Sequence, residues 1–412
     1  MKADLVVIGG GAAGMICAGT AAGYGKSVIL LEPNDKLGRK VRITGKGRCN
    51  CTNNCTPREF MANVPTNPKF LYSSLNAFSP EDAMDFFESI GVRLKTERGN
   101  RVFPVSDSAN ELADALGRWL KEQGVRVVKS RARDILTQND AVSGVLTDGG
   151  AIECHAAAVC TGGRSYPLTG SRGDGFRMAE KLGHRVTELR PSLVPLESPD
   201  AFCSELAGFA PRNVTLRVYE DGKLIFSELG EMLFTHFGVS GPLVLSASAH
   251  MRHFGTKKYE LAIDFKPALD AEKLDERLLR DFSKYANRNF ANALDDLAAR
   301  SFIPALVRMS GIAPDTKVNS VTREQRHALG ALLKAFPVRV SAPRPIDEAI
   351  VTSGGVDVRQ IDPRSMRSKL VPGLYFAGEV LDVDAYTGGY NLQIAWSTGR
   401  CAGKDIGEKD YD

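Results

Sequence analysis

Three glycines at positions 9, 11 and 14 stand where an apolar run, Leu5-Val-Val-Ile8, gives way to small residues through Ala22. Residues of this type at this spacing hold a diphosphate. Gly9 lets the chain turn sharply off a strand, Gly11 clears a side chain from the path of the pyrophosphate, and Gly14 lets the helix pack closely on the sheet. The helix start, with Ala12 and Ala13, offers free N–H groups and the positive end of a dipole to the negative charge. A second strand, Ser27–Leu31, ends at Glu32. That is about 20 residues downstream, where the dinucleotide fingerprint places an acid for the ribose hydroxyls.

The other end of the chain supplies a second wall. Gly373-Leu-Tyr-Phe-Ala-Gly-Glu379 reads as a buried strand stopping at a Gly-acid pair, and Thr387-Gly-Gly-Tyr-Asn-Leu-Gln393 opens a helix. The pair points to FAD, whose ribityl-flavin half needs such a wall. Gly378 and Glu379 are expected on the ribityl and phosphate side. Gly389, Asn391, Leu392 and Gln393 are expected at the flavin, where a helix N-terminus stabilises the charge of the reduced ring. The Gly- and Lys/Arg-rich loop Asp35–Asn54 follows the Glu32 strand, and Lys40, Thr44, Gly45, Arg48, Cys49 and Asn50 are its expected cofactor contacts. Ala132 and the strand end Thr161-Gly162-Gly163 complete the set.

Turnover also needs a proton donor. His236, Arg48, Cys49 and Tyr386 are the candidates, with Tyr166 beside them. His titrates near neutral pH and suits the role, whereas a lone His is more often structural. Cys49, Cys51 and Cys55 fit neither a C-x-x-C redox pair nor a zinc ribbon, so no metal is expected. No second G-x-G-x-x-G follows a strand, so NADH or NADPH as electron donor must dock transiently against the flavin.

These elements require room. The 412 residues allow two or three domains. The cofactor domain is expected to be discontinuous, over 1–190 and 341–412. Between lie an inserted, barrel-like β domain at 191–269 and a helical subdomain at 270–340. The fold class is therefore α/β, Rossmann-like, with inserts. Strands are expected at 125–128, 132–137, 141–147, 151–155 and 156–160, and helices at 68–74, 80–90 and 108–123. The net charge of +4 is small, so no specific nucleic-acid partner is expected. The absence of any long apolar stretch predicts neither a leader nor a membrane span. The eight cysteines read as reduced thiols, which suits a cytoplasmic location. Oligomeric state is not legible.

Gly9–Gly14, the stretch Lys36–Asn53, Phe234-Thr-His-Phe-Gly-Val-Ser-Gly-Pro242 and Thr387–Gln393 together resemble the BaiN/YhiN-type family of bacterial flavoproteins over essentially the whole chain. The resemblance implies a two-dinucleotide-binding-domain-type flavoprotein with FAD and an inserted domain over the flavin. Members of that family are NAD(P)- and FAD-dependent oxidoreductases. One branch reduces ring double bonds of 3-dehydro bile acids, and others carry an aminoacetone oxidase assignment. Thr352-Ser-Gly-Gly-Val356 and Gly378-Glu379 are similar to segments of fumarate-reductase and ketosteroid-dehydrogenase flavoproteins. The expected reaction passes hydride from NAD(P)H through flavin N5 to an activated C=C of an enone-type, small-molecule substrate. A peroxide-forming amine oxidase and a flavin-dependent RNA-modifying enzyme are the alternatives.

Overall fold

A computed structural model describes residues 1–410 and resolves them into two units. One joins Met1–Ser192 to the C-terminal stretch from Pro345, and the other is Leu193–Arg344.

The first unit is built on a seven-stranded sheet. Its strands include β1 (Lys2–Ile8) and β2 (Val28–Leu31), with α1 (Ala12–Gly23) between them. β1 and β2 pair in parallel, Leu5 opposite Val28 and Ile8 opposite Leu31. Both are apolar over most of their length, as strands covered on two faces must be. Three short strands follow, β3 (Thr52–Asn53) and, after intervening helices, the hairpin of β4 (Leu94–Glu97) and β5 (Arg101–Pro104). These three make a small separate sheet with β5 in the middle. The helix Ala109–Glu122 leads to β6 (Arg126–Val128), which extends the parallel sheet beyond β2. β7 (Ala132–Gln138), β8 (Ala141–Thr147) and β9 (Gly150–Val159) then form an antiparallel meander.

β9 is one continuous strand, where the sequence pattern suggests two. Its first half, Gly150–Glu153, pairs with β8; its apolar end, Ala157–Val159, pairs in parallel with Leu374–Phe376 from the far end of the chain. The change from alternating to fully apolar residues marks a change of neighbour, not a turn.

The C-terminal helix, Tyr390–Gly407, packs along α1. Glycines set that spacing. A Cβ on Gly399 would lie 2.4 Å from the Ala13 carbonyl oxygen, and one on Gly403 would lie 2.5 Å from that of Cys17. The backbones therefore touch directly, with the start of α1 against the middle of the C-terminal helix.

In the second unit, Val214–Glu220 sits between Lys223–Gly230 and Tyr259–Asp264, and Phe336–Arg339 completes a four-stranded antiparallel sheet. A second four-stranded sheet carries the hairpin Leu233–Thr235 and Gly238–Ser240. The barrel-like expectation gives way to these two sheets. One hydrophobic core runs through them and through the helices Ala271–Lys284, Ile303–Ser310 and Arg323–Lys334. The strand Phe336–Arg339 binds the helical stretch to the sheet, so the two share a core. Among the described residues, no helix is long and apolar enough to cross a membrane.

Candidate cofactor site

The first unit holds a cleft, partly open to solvent, with about 1360 Å³ of empty space that includes its open mouth. It lies beyond the carboxyl ends of β1, β2, β9 and the strand Leu374–Phe376, where Ile8, Leu31, Cys160 and Ala377 form its floor. Ligands of open α/β sheets bind in that place.

Both helix starts open onto it. Gly11 caps α1 in extended conformation with no side-chain cap, and a Cβ there would meet nothing within 4 Å. The space in front of Gly11 is thus free for a ligand. By contrast, a Cβ on Gly14 would lie 1.9 Å from the Gly9 carbonyl oxygen. Gly14 faces the strand–helix packing and not the cleft. Asn391, Leu392, Ile394 and Ala395 bring the start of the C-terminal helix to the opposite wall. The first N–H groups of a helix lack intrahelical acceptors. Neither helix has an acidic residue in its first turn, so both positive ends remain uncompensated.

Two carboxylates are fixed at the rim. Glu32 is buried; its Oε2 accepts from Gly10 N at 2.9 Å, and its Oε1 accepts from Asn34 N at 2.9 Å and Asn34 Nδ2 at 2.7 Å. A carboxylate offers about four lone-pair positions, so one is left for a ribose hydroxyl. Glu379 forms an ion pair with Lys40 Nζ at 2.8 Å, and its Oε1 accepts from Ser165 Oγ at 3.1 Å and Thr352 N at 2.9 Å. Lys40 Nζ also donates to Ser165 Oγ at 2.7 Å. The carboxylate expected to meet the ribityl chain is therefore already engaged by the protein, chiefly through Oε1, and it holds Lys40 at the cleft wall.

Of the residues expected to touch the cofactor, Gly9, Gly11, Ala12, Ala13, Glu32, Lys40, Thr44, Ala132, Thr161, Gly162, Gly378, Glu379, Asn391 and Leu392 line the cleft. Others stand behind it. Gly163 is packed on Thr352 and Glu379, and Gly389 on the Thr52 carbonyl. Gln393 is a correction. Its side chain is fully buried, accepting from Thr52 Oγ1 at 2.7 Å and donating to Phe78 O and Ser397 Oγ, so it ties the helix to the core. The Asn391 amide grips the preceding turn, accepting from Ala385 N and donating to the carbonyls of Ala385 and Tyr386.

The loop Thr44–Asn53 is strained and tightly built. Gly45, Lys46, Gly47 and Cys49 all have positive φ. Two of its expected catalytic residues are redirected. Arg48 stacks 4.2 Å from the centre of the Phe103 ring and pairs with Glu97 and Asp107, which raise its pKa further and keep it charged. Cys49 is fully buried, and burial pushes its thiol up to about 12. Neither can serve as a proton donor at neutral pH, because one cannot deprotonate and the other is sealed from any ligand. Asn50 Oδ1 is buried with no hydrogen-bond partner. An acceptor left without a donor inside a protein costs free energy until something supplies one.

Tyr386 is half-buried at the mouth of the C-terminal helix, its N–H donating to Asn63 O at 3.0 Å. Tyr166 is partly exposed and in left-handed conformation, with Lys40 Nζ 5.9 Å from its ring centre. His236 belongs to the second unit, exposed at the two-residue turn of its hairpin against the Phe237 ring. No cluster of metal-ligating side chains occurs among the described residues.

Sequence reasoning missed Arg39, Arg131, Arg172 and Asp174, which also line the cleft. Together with Lys40, Glu32 and Glu379 they give four cations against three carboxylates, an excess that suits a diphosphate. Arg39 lies in the Lys/Arg-rich loop already singled out and Arg131 beside Ala132, whereas Arg172 and Asp174 follow Thr161-Gly-Gly163 in a stretch that no spacing marks. The residues present thus fit FAD: an open space at Gly11, two uncompensated helix starts, a ribose-competent Glu32 and a surplus of positive charge.

Comparison with known proteins agrees. The family described as HI0933-like protein Rossmann domain matches residues 3–405. The chain is 31% identical over 404 residues to the ribosomal RNA dihydrouridine synthase of Escherichia coli strain K12, covering 98% of each. It is 28% identical over 407 residues to the 3-dehydro-bile acid delta(4,6)-reductase of Clostridium scindens, again covering 98% of each. In fold it is similar to 3-ketosteroid-delta4-(5alpha)-dehydrogenase from Rhodococcus jostii RHA1, with a TM-score of 0.55, 16% identity, and coverage of 99% of this chain and 97% of that one.

Proposed function

The chain belongs to the HI0933-like Rossmann family of FAD-dependent oxidoreductases, and on that premise we propose that it reduces a ring C=C bond conjugated to a carbonyl, with the uracil ring of ribosomal RNA as substrate and NADH or NADPH as electron donor. The observation that carries this reading is the 31% identity, over 98% of both chains, to a ribosomal RNA dihydrouridine synthase. Making dihydrouridine saturates the 5,6 double bond of uracil, which is conjugated to the ring carbonyl. Reducing a 3-dehydro-bile acid acts on double bonds conjugated to a ketone. The two relatives' names thus describe one chemistry: hydride to the β-carbon and a proton to the α-carbon. The amine-oxidase alternative has no counterpart in either. Nucleic acid was unexpected from the +4 net charge, but a whole-chain sum says nothing of local surface.

Bound FAD would supply hydride transfer at its N5 atom. The protein's own residues do the rest. The start of α1 with Gly11 binds the pyrophosphate, and Glu32 accepts from the ribose. Lys40, Arg39, Arg131 and Arg172 offset the phosphate charge. The start of the C-terminal helix, held by Asn391 to the preceding turn, would hold the flavin end. Tyr386, at that helix mouth, is the residue assigned to provide the proton, its hydroxyl being a donor. A general acid in such a role contributes roughly 10²–10⁴-fold.

The deciding experiment compares ribosomal RNA from cells with and without the gene, digested to nucleosides and assayed for dihydrouridine by mass spectrometry. Loss of a dihydrouridine on deletion, restored by the purified protein with NADH or NADPH, supports the reading. Unchanged RNA, with turnover of a 3-keto steroid dienone instead, would replace it with the second reading, which the Clostridium scindens relative favours.

A further inference from the structure

From Lys36 to Arg58 the chain carries seven Lys or Arg residues and no Asp or Glu. The fold lays the hairpin of β4 and β5 beside this stretch, Thr52 opposite Val102 and Asn53 opposite Arg101. The hairpin region adds Arg93, Lys95, Arg98 and Arg101. Part of this charge is neutralised internally. Arg48 and Lys95 share Glu97 and Asp107, and Arg42 pairs with Asp114. Lys46, Arg98 and Arg101 are left exposed, and none has an ion-pair partner among the described residues. Lys46 is in left-handed conformation between Gly45 and Gly47, and all three residues are exposed. Phe103 joins the two elements: Arg48 stands 4.2 Å and Arg101 5.9 Å from its ring centre, and Gly45 packs on its edge.

These cations border the cofactor cleft without lining it. Thr44, two residues before Lys46, is in the cleft wall. Asn53 Nδ2 donates at 3.1 Å both to Gly99 O, beside Arg98, and to Gly388 O, in the turn that opens the C-terminal helix. An enzyme that works on a base takes that base out of its stack into a pocket, so the flanking phosphates stay outside, at the rim. Base-independent grip on those phosphates comes from Lys and Arg.

We propose that Lys46, Arg98 and Arg101 form a docking surface for the RNA phosphodiester backbone on either side of the base presented to the cleft. The inference rests on the ribosomal RNA reading above. The cations come from two separate elements, a loop and a hairpin, which suits a backbone track better than a single phosphate group.

The test uses the FAD-loaded protein and the variant Lys46→Gln/Arg98→Gln/Arg101→Gln, with a fluorescently labelled ribosomal RNA fragment, by anisotropy across a salt series. The expected result is binding at least about tenfold weaker at moderate salt, and a salt slope smaller by about 2–3, as loss of three phosphate contacts requires. Melting temperature and flavin bleaching by NADH and by NADPH should match the parent. RNA affinity and salt slope equal to the parent's would overturn the surface while leaving the RNA reading intact. Loss confined to bleaching by NADPH would overturn it too, assigning the cations to the nucleotide's extra phosphate. A parent protein that neither binds nor modifies RNA would overturn the reading and the surface together.

Discussion

Gly11 and Gly14 separate cofactor binding from folding, because a methyl group at each meets opposite surroundings. At Gly11 it enters open space, and the residue's φ of −83° is one that alanine adopts freely. Gly11→Ala should therefore leave stability within about 0.5 kcal/mol of the parent, as for an ordinary surface change. The same methyl would stand between the start of α1 and the pyrophosphate. Losing one charge-assisted hydrogen bond to a phosphate costs about 1.5–3 kcal/mol, or about ten- to 150-fold in affinity for FAD. At Gly14 the methyl lies 1.9 Å from the backbone oxygen of Gly9, which cannot yield without moving the strand end. Gly14→Ala should cost at least the ~1–3 kcal/mol of an overpacked core. That corresponds to roughly 2–4 °C in Tm per kcal/mol for a domain of this size. Thermal melts of the FAD-free proteins, and fluorescence titrations of each with FAD, would read the two effects. If Gly11→Ala binds FAD as the parent does, the pyrophosphate does not sit at the start of α1. If Gly14→Ala melts with the parent, the close strand–helix packing is not what that glycine serves.

Other expectations follow from the same geometry. Tyr386→Phe should lower kcat by roughly 10²–10⁴-fold with FAD affinity unchanged; a kcat equal to the parent's would move the proton donor elsewhere, with His236 next to be replaced. Asp384 is buried and accepts from Thr66 Oγ1, Ser192 Oγ and Ser353 Oγ at 2.5, 2.8 and 2.8 Å. Asp384→Ala leaves these hydroxyls unsatisfied and should cost several times the ~1–3 kcal/mol of one such group, less than additively, while Asp384→Asn should cost less; equal melts of the two would refute this. Burial raises the thiols of Cys49 and Cys154 to about 12 from an ordinary 9.0. Above pH 9 the unfolded chain sheds these protons and the folded chain keeps them. Stability is whole below pH 9 and should fall between about 9 and 12 by up to about 1.4 kcal/mol per pH unit for each thiol. Urea melts across that range test the sign, and replacing both cysteines by alanine should make the alkaline slope shallower, the other buried thiols keeping their share.

Much of the cofactor half was legible in the order of residue types. The apolar run to Ile8, the three glycines and Glu32 are consecutive, and each has a local reason to be there: a turn, an approach, a packing contact and an acceptor. The strand Leu374–Phe376 and the helix from Tyr390 are equally local signals, and their resemblance to one family was written in short contiguous stretches.

What only tertiary structure decided is direction. Nothing in Thr44–Asn53 says that Arg48 turns to Glu97 and Asp107, because those carboxylates arrive on a hairpin some fifty residues later. Gln393 looks like a cofactor contact from its place at a helix start. It is a core clamp because Thr52 and Phe78 meet it from distant parts of the chain. Glu379 is engaged by Lys40 across a span of similar length. A backbone turn depends on neighbours in sequence, so glycine patterns can be read directly. A polar side chain pairs with whatever the fold brings within about 3 Å, and that is a property of the packed chain.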